Sequence, residues 1–176
     1  MYSRNYIANF LKRLSMVLCL SLSVCQHNSC TSKEHFVILE IPNKNSGALY
    51  VIRPIVTQMA IWNYSLRLYK YKGNFRADKN PQEIATIQLS NGSFFQENLP
   101  EGFYKLTLNS DESVEKIFKL KNGEVCFLEF IIFSKSEFSG PEYFIKEIEK
   151  QTALTYLLED KKLIREPSKV YLDAPK

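Results

Sequence analysis

Apolar residues recur at every second position through much of this chain, a spacing that predicts strands. The clearest run follows Leu99-Pro100-Glu101-Gly102, where Tyr104, Leu106 and Leu108 alternate with Lys105, Thr107 and Asn109, so that one face is buried and the other wet. Trp62, Tyr64, Leu66 and Leu68 alternate in the same way with Asn63, Ser65, Arg67 and Tyr69. This assigns Trp62 and Tyr64 to a core face and leaves Tyr69 and Tyr71 outside. Shorter β-prone runs cover residues 36–41, 48–53, 84–89, 93–96 and 114–120. Residues 125–133 are almost wholly apolar apart from Glu129, the profile of a central strand covered on both faces.

The punctuation between these runs is turn chemistry. Pro42 to Gly47 is a turn-rich cluster, Pro54 stops the second run because it cannot donate to a sheet ladder, and Lys72-Gly73-Asn74 reverses the chain. Asn91-Gly92 and Asn122-Gly123 accept the positive φ of tight turns and predict two hairpins. Pro100 and Gly102 fill the second and fourth positions of a type I turn. Residues 143–148 fit a last strand or a first helical turn. From 150 to 160 the period becomes helical, with Ala153, Leu154, Leu157 and Leu158 on one stripe. Beyond Ile164, Pro167 and Pro175 predict a frayed tail. The pattern as a whole predicts a mainly β fold, an antiparallel β-sandwich with one C-terminal helix.

The beginning of the chain has a different grammar. Arg4, Lys12 and Arg13 precede eleven residues, 14–24, without a charge, which is the order of a secretory signal helix. The run is shorter than the roughly 20 residues that cross a bilayer, and Gln26, His27, Asn28 and Ser29 follow at once. Leu22-Ser23-Val24-Cys25 resembles the bacterial lipobox, whose cysteine receives diacylglycerol and becomes an acylated N-terminus; Val24 is bulkier than the small residue usual before that cysteine. Cys19 lies inside the apolar run and Cys30 follows polar residues, so Cys25 is the expected lipidation site. The alternative is an ordinary signal peptide with an incidental thiol at Cys25. The expected organisation is a signal peptide (1–24), a polar tether (25–35), a β-sandwich with its C-terminal helix (36–165) and a flexible tail (166–176).

Charge changes little in this picture. Of 176 residues, 23 are basic and 19 acidic. Without Arg4, Lys12 and Arg13 the mature chain carries 20 basic residues against 19, too even a balance for non-specific attraction to nucleic acid. Its 10 Tyr and 12 Phe against 6 Gly favour a packed β domain over a disordered one.

Several stretches resemble a domain-of-unknown-function family of short bacterial envelope lipoproteins. Leu49-Tyr50-Val51-Ile52-Arg53-Pro54 is similar to its opening "x-Tyr-Val-x-Arg-Pro". Residues 99–108 resemble its "Pro-x-Gly-x-Tyr/His-x-Leu" turn and strand. Residues 121–128 resemble its later "x-Gly-x-x-Tyr-Tyr-Leu", with Cys126-Phe127 where aromatics are usual. The helix around 153–158 has a counterpart there as well. The resemblance implies a transthyretin-like or carboxypeptidase-regulatory-like sandwich on a lipid anchor, with no activity and no catalytic residues to transfer.

Catalysis needs a nucleophile beside a base, paired carboxylates in a cleft, or a metal. The two histidines, His27 and His35, flank the tether, and the Cys and His residues lack zinc-ligand spacing. The expectation is therefore a non-enzyme with no catalytic residue, no metal and no cofactor, held on a membrane by palmitate-type acyl chains on Cys25. It would sit at the outer membrane or the periplasmic face of the inner membrane, as a binding or structural accessory module for a protein or glycan partner. Arg53, Tyr69 and Tyr71 are the candidate ligand contacts: the arginine for a carboxylate, the tyrosines for stacking. The rival expectation is a secreted enzyme or enzyme inhibitor without a lipid.

Overall fold

The computed structural model describes residues 34–170 except Val37, Gln58, 135–139, 160–162 and Ser168. The expected signal peptide, Cys25, most of the expected tether and residues 171–176 lie outside the described residues. Among the described residues ten strands and one helix follow in order: β1 (Gly47–Arg53), β2 (Tyr64–Lys70), β3 (Gln82–Leu89), β4 (Ser93–Leu99), β5 (Gly102–Leu108), β6 (Asp111–Leu120), β7 (Val125–Phe133), β8 (Glu142–Glu147), α1 (Lys150–Glu159), β9 (Ile164–Arg165) and β10 (Lys169–Val170). They form two five-stranded sheets. Sheet A has the order β8-β7-β1-β4-β9 and sheet B the order β10-β3-β2-β5-β6. The mainly β sandwich expected from the alternation is the architecture observed.

Direction and connection hold what the pattern did not convey. Sheet B is antiparallel throughout, but sheet A pairs β1 with β7 and β4 with β9 in parallel. Neither Asn-Gly dipeptide makes a hairpin. Asn91-Gly92 carries the chain from β3 in sheet B to β4 in sheet A, and Asn122-Gly123 from β6 in sheet B to β7 in sheet A. The physical reason lies in the dihedrals. A two-residue type I′ hairpin needs positive φ at both central residues, whereas Gly92 and Gly123 adopt φ of 69° and 77° and their asparagines do not. The proline turn at 100–101 also changes sheets. Hairpin pairing falls instead to β2–β3, β5–β6 and β7–β8.

Sheet A is covered twice, which is why all seven residues of β1 are buried. Leu49, Val51, Phe95, Leu128 and Phe130 meet Leu66, Leu68, Ile87, Leu106 and Leu108 of sheet B in one core. Ala48, Tyr50, Ile52, Phe94 and Phe127 point the other way, onto Ala153 and Leu157 of α1, Leu163 and the rings and methyls of Phe36 and Leu39. Only half of the expected helix stripe is sequestered: Ala153 and Leu157 are buried, but Leu158 is 54% exposed. Tyr156 packs against the same cluster, where burial and the charge of Glu129 raise its pKa; Glu129 is itself a buried carboxylate 3.2 Å from Nζ of Lys146.

Two other expectations are corrected. The described residues of 36–41 form no strand; a bridge joins His35 to Ile164, and the described part of the segment crosses the outer face of sheet A as a strap. The tail expected from 166 onward still contributes structure, because Lys169 and Val170 pair with Thr86 and Ala85. Pro167 is exposed in the link from β9 of sheet A to β10 of sheet B, where no ladder needs its missing N–H.

Tyr104 braces the corner between β4 and β5 by donating its phenol hydrogen to the Pro100 carbonyl, a tyrosine-corner arrangement. Cys126 faces the inter-sheet core as a free thiol. Burial there pushes its pKa up to about 12, with Glu147 adding to the effect. An unfolded thiol ionises near 8.5, so above about pH 9 the unfolded chain has lost a proton that the folded chain keeps. Stability is then expected to fall with rising pH, by up to about 1.4 kcal/mol per pH unit. Urea unfolding in reducing buffer at pH 8 and pH 10 checks this. Cys126→Ala is expected to lose clearly less stability across that interval than the wild type, and an equal loss refutes the assignment.

Candidate functional site

Arg53 closes one end of the sandwich. It stands at the end of β1, a central strand rather than an edge, and is only 1% exposed. Its Nη1 donates to the carbonyls of Trp62 at 2.6 Å and Leu89 at 3.0 Å, and Nη2 donates to Met59 at 3.0 Å. The plane of the group lies over the Tyr64 ring, 4.9 Å from its centre. Desolvation lowers its pKa from the ordinary arginine range. This guanidinium ties the ends of β1 and β3 to the intervening loop; it does not face solvent to receive a ligand carboxylate.

The tyrosines expected to stack on a ligand are also engaged, and in the other sheet. Tyr69 lies among Lys105, Arg67 and Glu83, with Nζ of Lys105 5.2 Å from its ring centre. Tyr71 is buried against Phe75, which packs in turn on Phe103. Conversely Trp62, assigned to the core by alternation, is 58% exposed, because β2 begins two residues later and its pleat never includes Trp62. Arg53, Tyr69 and Tyr71 are not brought together, and Cys25 lies outside the described residues.

The structure assembles a different site on the outer face of sheet A. The strap of residues 34–40, β4 and β9 enclose a cleft of about 280 Å³ lined by Glu34, His35, Phe36, Ile38, Glu40, Tyr50, Phe94, Gln96 and Arg165. Its floor is aromatic. The rings of Tyr50 and Phe94 stack with centres 6.4 Å apart, and Phe36 meets Phe94 edge-on at 5.9 Å. Its wall is polar, and each member is fixed by another. The two Glu40 oxygens receive Nη1 of Arg165 at 3.2 Å and Nε2 of Gln96 at 2.8 Å. The Glu40 amide donates to the Tyr50 phenol oxygen at 3.1 Å, and the Arg165 amide donates to the Glu34 carbonyl at 2.7 Å. Burial raises the Tyr50 pKa, partly opposed by that amide and by Arg165, so the phenol stays protonated at neutral pH.

An apolar floor with a few convergent polar groups is the ordinary form of a binding pocket, and this one lies just under the usual lower volume of about 300 Å³. It suits one ring or one side chain. A second groove of about 310 Å³ runs beside Gln151, Leu154, Thr155 and Leu158; among the described residues its lining comes from α1, without polar groups converging from other elements. Among the described residues no group of three or more His, Cys, Asp or Glu side chains is placed to hold a metal. No local motif marks the cleft. Glu40, Gln96 and Arg165 come from three segments up to 125 residues apart, and the one sequence signal was Tyr50, inside the motif that had drawn attention to Arg53.

Two substitutions test these assignments. Arg53→Lys is expected to destabilise the chain by about 2–4 kcal/mol, since a single ammonium cannot satisfy three diverging carbonyls; chemical denaturation measures the change, and a loss under about 0.5 kcal/mol refutes the tie. Arg165→Met, which removes a partly exposed ion pair, is expected to cost at most about 1 kcal/mol. It should nevertheless speed chymotrypsin cleavage after Phe36 or Leu39 several-fold, and an unchanged rate would show that the strap is held by something else.

No protein-family model, no curated protein and no solved structure matches this chain.

Proposed function

We propose that this is a lipid-anchored protein of the bacterial cell envelope, acting as a non-catalytic binding module through the cleft on sheet A. The observation that carries the binding half is the convergence of Glu40, Gln96 and Arg165, from three remote segments, on a floor of Phe36, Tyr50 and Phe94. All three polar groups are already partnered, an arrangement that presents a fixed hydrogen-bonding rim rather than a reactive nucleophile or base. The anchor half is supported by the sequence 22–25, the charge-free run before it and the motif resemblance to envelope lipoproteins. Acyl chains on Cys25 would hold the sandwich at a membrane, because two or more chains anchor stably where one binds reversibly. The ligand class that fits the cleft is a sugar ring or a peptide side chain of the envelope.

Metabolic labelling with a palmitate analogue in a bacterial host tests the anchor. Incorporation is expected in the wild type and lost in Cys25→Ala; equal labelling of both refutes it. Amide chemical-shift titration with peptidoglycan disaccharide and stem-peptide fragments tests the cleft. Shifts are expected at residues 34–40, 94–96 and 165 and are expected to vanish in Gln96→Ala. Silence with both probes, or shifts elsewhere, contradicts the assignment.

A further inference from the structure

Exposed apolar side chains gather at one end of the sandwich. Seven large hydrophobic residues are exposed among the described residues, and four of them, Ile55, Ile61, Trp62 and Phe144, lie at the end closed by Arg53. Ile55, Ile61 and Trp62 belong to the loop between β1 and β2, whose ten residues 54–63 carry no charge. Phe144 reaches the same end because it pairs with Ile131, two residues beyond the point where β7 leaves Ile52 of β1. It stacks there on Phe133 with ring centres 5.4 Å apart.

The loop is held in its exposed shape. Arg53 grips the carbonyls of Met59 and Trp62, the Val56 amide donates to the Asn91 side chain at 3.0 Å, and Ile55 occupies the space where a Cβ on Gly92 would stand, 2.5 Å from its Cγ1. Met59 adopts φ of 56°, a left-handed conformation that costs about 1 kcal/mol or more for a residue with a side chain. The loop is thus braced from the core with Ile61 and Trp62 standing out, 87% and 58% exposed.

The chain joins the described domain at this same end. Glu34 and His35 contact Arg165 and Ile164, and the Ile164 amide donates to the Gly92 carbonyl. Cys25 lies nine residues before Glu34, a span of at most about 32 Å.

We infer that the Arg53 end is a membrane-contact surface, with Ile61 and Trp62 seated at the headgroup level of the bilayer that holds the acyl chains. The inference rests on the lipid-anchored reading above. Tryptophan beside aliphatic side chains is the composition that partitions into the membrane interface, and the absence of charge along the loop removes the cost of burying an ion there. One short leash and one apolar loop on the same end would keep the sandwich upright and leave the strap and cleft along its side open to the envelope.

Trp62 is the chain's single tryptophan, so the native protein carries its own probe. The full chain, extracted from a bacterial host's membranes, is reconstituted into phosphatidylethanolamine–phosphatidylglycerol vesicles with and without brominated acyl chains, and its intact mass is taken in parallel. The expected result is an acylated chain whose emission is blue-shifted and quenched at least about twofold by bromine, as for interfacial tryptophan. A Trp62→Phe chain carrying Ile41→Trp, on the strap where it leaves the cleft toward the opposite end, is expected to show neither effect. An acylated chain with unquenched Trp62 overturns the inference and leaves the anchor standing. A blue shift that grows with protein concentration and ignores bromine overturns it in favour of a second copy of the chain. A chain recovered without acyl groups overturns the anchor, and this inference with it.

Discussion

A buried guanidinium must find several oxygens at once, and that demand shapes one end of this protein. Arg53 has carbonyls at 2.6, 3.0 and 3.0 Å from the loop and from β3, and a tyrosine ring beneath its plane. Hydrogen bonds to a charged group are each worth about 1.5–3 kcal/mol, and leaving such a group unsatisfied costs more. The loop from β1 to β2 is therefore not a passive connection. It crosses from sheet A to sheet B on a path dictated by the cation, and the left-handed Met59, the braced Asn91-Gly92 turn and the outward Trp62 follow from that path.

The same strand sets the cleft. Tyr50 precedes Arg53 by three residues, so the two point to opposite faces of sheet A: Arg53 into the space between the sheets, Tyr50 onto the outer face beneath the strap. Because β1 is central and its outer face is covered by α1 and the strap, the Tyr50 ring is a rigid floor. The Arg165 network then couples three pieces of chain across it. Each ion pair in that network is partly exposed and individually weak; their joint effect is positional, fixing where polar atoms stand above an apolar floor.

What the sequence conveyed and what it withheld divide along a physical line. Alternation in 104–108 and the apolar run 125–133 place strands and their buried faces correctly, because a pleat has a fixed period of two whatever lies around it. Turn residues proved legible as turns and illegible as connections. Gly92 and Gly123 do take positive φ, but local chemistry does not say which sheet receives the next strand. Arg53 beside Pro54 reads as a candidate ligand contact since its partner Leu89 lies 36 residues away, and no local pattern announces a carbonyl cage. Trp62 was misplaced by extending an alternation two residues before its strand begins. The cleft was invisible for the same reason as the cage: its walls meet only after both sheets, the strap and β9 are in place.

Amide hydrogen exchange of the chain recovered from a bacterial host's membranes and placed on lipid vesicles, compared with Cys25→Ala in buffer, bears most directly on the proposed orientation of anchor, loop and cleft. Exchange should slow at residues 54–63 and 142–144 on the membrane and stay unchanged at 43–47 and 121–124 at the opposite end. Protection at the opposite end, or no difference between the two samples at 54–63, would contradict it.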